Sequence, residues 1–165
     1  MRKIEAVSIT TENFAPYGYI ANITEPGDAY GLGTAPCVFH RDMVLAPMAS
    51  TAPIAFGSLK LDPRPMVIED VEYHSAAVEI MMPLDEDVVM VAGPANDDRV
   101  EPALLKAFVV PAGTLVAFRA GVWHGAPFPL HQSATVLICL PERTYLTDTK
   151  KYLLAAGDKT AIELV

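Results

Sequence analysis

The chain has 165 residues, 52% of them hydrophobic and 19% charged, with 14 prolines and 10 glycines scattered without period. That composition excludes intrinsic disorder and any collagen-like or low-complexity chain. The length suits a single domain, residues 1–165, that buries about 70% of the surface its unfolded form exposes. Net charge is −8 with 12 Lys and Arg in total, and no basic run is longer than Lys150-Lys151. A nucleic-acid partner is therefore not expected. A small anionic substrate is compatible, because a few local cations can act against the global charge.

In chain order, residues 11–15 read as one helical turn with Thr10 or Thr11 as its N-cap. Residues 21–50 are poorly patterned and broken by Gly31, Gly33, Pro36 and Pro47. Such a segment is expected to lie across the open mouth of a β-barrel. Short apolar runs follow at 54–61, 66–73, 78–82, 88–92, 107–110, 114–118 and 134–140. Their lengths and their β-branched, Met and Phe content read as strands. Pro, Gly, Asp and Asn at 62–65, 84–87, 93–98, 111–113 and 126–129 mark the turns between them. His131, after Pro129-Leu130, reads as a turn residue. Near the end, Thr147 or Asp148 is expected to cap a short helix through Lys150, Tyr152, Leu153 and Ala156, stopped by Gly157. At least seven strands with few peripheral helices predict an all-β barrel or jelly roll.

Cys37 and Cys139 are far apart and belong to no CxxC pair or Cys/His cluster. Cys139 lies in the apolar run 136–140 and reads as a core residue. The opening Met1-Arg2-Lys3-Ile4-Glu5 has no apolar stretch after its basic residues, unlike a signal peptide. No apolar run reaches the length of a membrane span. A cytoplasmic protein without membrane association is expected.

Of four histidines (His40, His74, His124 and His131), two stand in groups that carry chemistry. Glu72 and His74 are two apart, so on a strand they share a face. Ser75-Ala76-Ala77 are small enough to bend, after which Glu79 can return to the same side. Flanked by Met66-Val67-Ile68 and Ile80-Met81-Met82, these carboxylates need a cation or hydrogen-bonding partners. Two carboxylates and a histidine suit a divalent first-row metal: Mn, Fe, Ni or Zn. The second group is Arg119-Ala120-Gly121-Val122-Trp123-His124, where Gly121 permits a tight turn that presents His124.

Together these groups resemble the two motifs of the cupin superfamily. Glu72 takes the place of that superfamily's first histidine, His74 and Glu79 match, and Arg119 replaces the proline before Gly121 and His124. A closer resemblance is to the ureidoglycolate lyase family, also called ureidoglycolate hydrolase. It rests on Phe14-Ala15-Pro16-Tyr17-Gly18, on 66–84 with its Glu-x-His and Pro83, and on Leu105-Lys106-Ala107-Phe108 through Gly121-Val122-Trp123-His124-Gly125-Ala126-Pro127-Phe128. The chain departs from that family at Tyr73, where Arg is usual, at Glu79 for Gln, at Lys106 for Arg, and at Gly125 for a second His. It thus reads as a divergent member.

The resemblance implies a cupin-like jelly-roll β-barrel, commonly a homodimer, that splits ureidoglycolate into glyoxylate and urea in allantoin and purine catabolism. In that reading His74, Glu79, His124 and Glu72 are the metal ligands, and Glu72, His74 and His124 the catalytic residues. Glu72 is then the base for the substrate hydroxyl. Lys106 or Arg119 pairs with the substrate carboxylate, and Tyr30 and His40 cover the mouth. Two alternatives stay open on sequence: another metal-dependent cupin, an isomerase or dioxygenase acting on a small hydroxy or keto acid, and a non-catalytic cupin that binds a small acid.

Overall fold

The computed structural model describes residues 1–96 and 98–164; Asp97, in the predicted turn at 93–98, lies outside the described residues. The first half of the chain forms β1 (Arg2–Ser8), α1 (Thr11–Phe14), β2 (Gly18–Asn22), β3 (Gly31–Thr34), β4 (Cys37–His40), β5 (Ile54–Leu61), β6 (Val67–Ile68), β7 (Asp70–Tyr73) and β8 (Glu79–Pro83). The second half forms β9 (Val88–Gly93), β10 (Lys106–Val110), β11 (Thr114–Phe118), β12 (Trp123–His124), β13 (Phe128–Pro129), β14 (Ala134–Pro141), α2 (Thr144–Thr147), β15 (Lys150–Leu153) and β16 (Thr160–Leu164).

The larger sheet runs β15-β7-β12-β9-β10-β1-β16-β6, with β13 beside β9. The smaller runs β2-β11-β8-β14-β5, while β3 and β4 pair with each other as a separate hairpin. Alternation along the strands builds two cores. Val88, Met90 and Ala92 of β9 face the smaller sheet and join Phe14, Met81, Phe108, Val116, Phe118 and Val136. Val89 and Val91 point the other way, into a second cluster with Val71, Tyr73, Leu105 and Trp123. A strand buried on both faces has no polar positions, which is why β9 reads as an unbroken apolar run. The result is the cupin-like jelly roll that the sequence predicts.

The predicted helical turn forms. The Thr10 hydroxyl accepts from the Asn13 amide at 3.1 Å, and the Asn13 side chain accepts from the Thr10 amide at 2.8 Å. This reciprocal cap orients Phe14 into the core, where it makes edge contacts with Phe108 and Phe118. Cys139 is buried, as its apolar run indicates, and His131 is exposed in a bend.

Two expectations are corrected. The helix expected through 147–156 does not form: residues Lys150–Leu153 are β15, paired antiparallel with β7 from Lys150↔Tyr73 to Leu153↔Asp70. The hydrogen bonds of an open sheet edge outweigh the weak helical preference of four residues. The helical turn comes earlier, as α2, after Arg143 at φ 62°. The predicted strand at 66–73 is divided at Glu69 into β6 and β7, which pair with β16 and β15 respectively. Strands β1 and β16 lie outside the predicted runs. They pair in parallel from Arg2↔Thr160 to Ala6↔Leu164, and polar residues in both mask their apolar face.

Candidate active site and metal centre

Glu72, in β7, lies face to face with His124: the two are directly opposed in the β7–β12 register. His74 follows where β7 ends, and Glu79 opens β8 on the other sheet. Gly121 makes the approach to His124 possible at φ +83°, a conformation that favours glycine. Its amide donates to the His74 carbonyl at 2.6 Å, which ties the two motifs together. One potential ligand atom from each of Glu72, His74, Glu79 and His124 lies within 4.8 Å of those of the others. The sequence-predicted metal set is thus brought together in space.

Three members are deeply buried: His74 is 3% exposed, Glu79 5% and His124 2%. Glu72 is the member that solvent reaches, with 26% of its side chain exposed and Lys151 3.3 Å from its carboxylate. Phe118 stacks on the His124 ring at 4.9 Å and 22°, forming the apolar floor.

The donor pattern distinguishes this cluster from an ordinary ion pair. Nε2 of His74 and Nε2 of His124 both face Oε2 of Glu79, at 3.0 and 2.7 Å. Nδ1 of His74 faces the Asp148 carbonyl at 2.8 Å, and Nδ1 of His124 faces the Val122 carbonyl at 2.9 Å. A carbonyl oxygen only accepts, so both Nδ1 atoms carry hydrogen. The neutral rings then direct two Nε2 lone pairs at a carboxylate oxygen, an arrangement that needs positive charge between them. Protons on Nε2 can supply it, and so can a divalent cation. Two imidazole nitrogens with carbonyl-anchored Nδ1 atoms and two carboxylates fit a first-row metal. Burial opposes ionisation of Glu79, but hydrogen bonds and charge from His124 and His74 hold its carboxyl down at about 2. Burial likewise works against the charged form of His74, yet Glu79 and the Asp148 carbonyl raise it above its ordinary value.

The remaining candidates lie outside this cluster. Lys106 opens β10 and is opposed to Ala92, whose other neighbour is His124. It therefore shares the cluster's row of the sheet, and it borders a groove of about 580 Å³ with Glu5, Tyr17 and Phe108. The Arg119 guanidinium is engaged elsewhere, donating to the Ala15 carbonyl at 2.5 Å and lying 4.6 Å over the Tyr19 ring. His40 contacts the Ala29 carbonyl through Nδ1 at 3.1 Å, and Tyr30 is exposed beneath Arg41. Both belong to the region of the β3–β4 hairpin. Sequence reasoning missed Asp148, Thr149 and Lys151, which surround the cluster because β15 is a strand. Their only signal was the pair Thr147-Asp148, which also suits a helix cap.

A two-sheet jelly roll with a buried His/Glu cluster inside one end defines a cupin-type enzyme. The family model for ureidoglycolate lyase matches residues 1–158, and the chain belongs to that family. A relative in Agrobacterium fabrum, provisionally named ureidoglycolate lyase, is 28% identical over 163 residues, 93% of this chain and 92% of that one. The ureidoglycolate lyase of Rhodobacter capsulatus is 26% identical over 132 residues, 79% and 81% of the two chains. Among solved structures, a dTDP sugar isomerase from Desulfovibrio desulfuricans superposes with a TM-score of 0.52 at 15% identity, covering 87% of this chain and 89% of that one. That likeness is one of fold. No helix among the described residues is long and apolar enough to cross a membrane.

Proposed function

We propose that this chain is a ureidoglycolate lyase that works in the cytoplasm as a homodimer of single-domain subunits, with its chemistry at the Glu72–His74–Glu79–His124 cluster. The observation that carries the reading is the convergence of these four side chains within 4.8 Å in a chain matched to that family over residues 1–158. His74, Glu79 and His124 would hold a divalent ion such as Mn, Fe, Ni or Zn. Such an ion supplies Lewis acidity, lowering the pKa of a hydroxyl bound to it.

Ureidoglycolate carries a hydroxyl, a carboxylate and a ureido nitrogen on one carbon. Glu72, the cluster member open to solvent, takes the hydroxyl proton. As the C–O bond becomes a carbonyl, the C–N bond breaks and its electron pair stays on the urea nitrogen. That nitrogen receives the proton back from Glu72, so glyoxylate and urea leave with no net change in protons. Lys106 pairs with the substrate carboxylate from the same row of the sheet. It has no ion-pair partner among the described residues, whereas the Arg119 guanidinium is already held by Ala15 and Tyr19.

Glyoxylate release from ureidoglycolate by the purified protein, before and after chelation and metal add-back, tests the proposal. Release that chelation abolishes and one divalent metal restores is expected. Release indifferent to chelation would remove the metal from the reading and leave the lyase. No release with any of the four metals would overturn the activity.

A further inference from the structure

The loop joining β7 to β8 carries a candidate ligand at each end, His74 and Glu79, with Ser75-Ala76-Ala77 near its start. Small side chains cannot hold a loop in shape, and three successive backbone amides there need acceptors. All three are met by one carboxylate. Asp148 Oδ1 accepts from Ser75 at 2.8 Å, and Oδ2 accepts from Ala76 and Ala77, both at 2.9 Å. The carbonyl of the same residue faces His74 Nδ1 at 2.8 Å. The Thr149 hydroxyl lies 3.2 Å from that nitrogen while donating to the Thr144 carbonyl at 3.0 Å. His124 differs: its Nδ1 is held two residues away, by Val122. Thus the two histidines are oriented by independent means, one local and one from the segment after α2.

We infer that Asp148, assisted by Thr149, is a positioning residue that clamps the 75–77 loop and fixes the Nδ1–H form of His74, and so sets the cluster's affinity for a divalent metal. The inference rests on the metal reading above and adds the residue on which the site's assembly depends. Asp148 is not one of the four clustered candidate ligands; its carboxylate is directed at the loop amides. Its carboxylate accepts three hydrogen bonds, so Asp148→Asn, with an amide nitrogen in place of one oxygen, must leave at least one loop amide facing a donor. Partners of this kind that orient a metal-binding histidine typically change affinity 10–100-fold when removed.

The test is Co²⁺ titration of the full-length protein followed by visible absorbance, with ¹⁵N NMR of the histidine rings in the metal-free protein. Wild type, Asp148→Asn, Asp148→Ala and Thr149→Val are compared. Asp148→Asn and Asp148→Ala are expected to weaken Co²⁺ binding about 10–100-fold, and Thr149→Val by less. In the metal-free variants the His74 ring signals should move while those of His124 stay in place. Folded variants with unchanged Co²⁺ affinity and an unchanged His74 ring would overturn the inference. So would equal movement of both rings, which marks general loosening of the fold. If Asp148→Ala does not fold, Asp148→Asn and Thr149→Val decide. Should wild type take up no Co²⁺, the metal reading fails separately, and selective movement of the His74 ring still decides whether Asp148 positions it.

Discussion

Lys106 and His124 stand on either side of Ala92, on one transverse row of the larger sheet. Residues opposed in register point to one face, and the fully buried Ala92 puts only a methyl group between them. The row continues through Glu72, opposite His124, to Lys151, opposite Glu72. Two strand spacings, about 10 Å, separate the backbones of Lys106 and His124, and the flexible Lys106 stem extends over that gap. A chain of net charge −8 thereby places cations at both ends of an acid–imidazole pair, where an anionic substrate needs them.

Replacing Lys106 by Met keeps the length of the stem and removes the charge. A hydrogen bond to a charged group contributes about 1.5–3 kcal/mol, so kcat/KM for ureidoglycolate is expected to fall roughly 10–100-fold, mostly through KM. Lys106→Arg should recover much of the loss, because guanidinium pairs well with carboxylates. Steady-state kinetics of the three proteins check this, and an unchanged KM in Lys106→Met would remove Lys106 from the substrate site.

The buried triad predicts a pH signature in the metal-free protein. Glu79 is held down from 4.5 to about 2. Its contribution to stability is complete above about pH 4.5 and disappears as pH falls towards 2. His74 is raised above 6.5, so its contribution is complete below 6.5 and is lost as pH rises through the folded value. The stability difference between wild type and Glu79→Gln should therefore peak between about pH 4.5 and 6.5. Urea unfolding of both proteins across pH 2–9 measures it. A difference that does not vary with pH would show that the Glu79 contacts are not ionic. Divalent metal needs unprotonated Nε2 atoms, so its addition should move the wild-type optimum upward.

Much of this was legible in the sequence, for a physical reason. Strands buried on one or both faces, such as Val88–Gly93 and Thr114–Phe118, carry their environment in their residues. The Glu72-x-His74 spacing and the glycine at 121 encode the cluster through strand periodicity and turn chemistry. What the sequence hid depends on pairing. β12 is two residues long, and β15 is a strand because β7 offers it an edge. Asp148 has the same local chemistry whether it caps a helix or, as found, the loop beside His74.

Gly121 joins the two motifs through its amide contact with the His74 carbonyl. An alanine there must adopt φ near +83° and would put its Cβ 3.2 Å from Ala95 Cβ. The left-handed conformation costs about 1–2 kcal/mol, which for a chain of this size lowers Tm by roughly 2–8 °C. Calorimetry of Gly121→Ala should show that fall, with a matching loss of metal affinity as His124 shifts. A Tm equal to wild type would mean that the turn relaxes without strain.

The proposed homodimer would use one surface. No residue from 29 to 59 is buried, yet the only charged side chains in that stretch are Arg41 and Asp42, which pair with each other at 3.1 Å. Tyr30, Phe39, Leu45 and Phe56 are each at least 64% exposed. The β3–β4 hairpin pairs with no other described strand, and an isolated two-stranded hairpin is marginal in water. β5 adds an eight-residue sheet edge, a surface that proteins normally cover. Two copies of a chain with net charge −8 repel through their charged faces and can meet on an uncharged one. A stretch of this length matches the roughly 20–30 residues that each partner gives to a standard interface. The double variant Phe39→Asp, Phe56→Asp is therefore expected to sediment as a folded monomer at micromolar concentration, with the dimer Kd raised at least about 100-fold by burying unpaired carboxylates. Sedimentation equilibrium of both proteins provides the measurement. A variant that dimerises as tightly as wild type would move the interface elsewhere, and a monomeric wild type would remove the dimer.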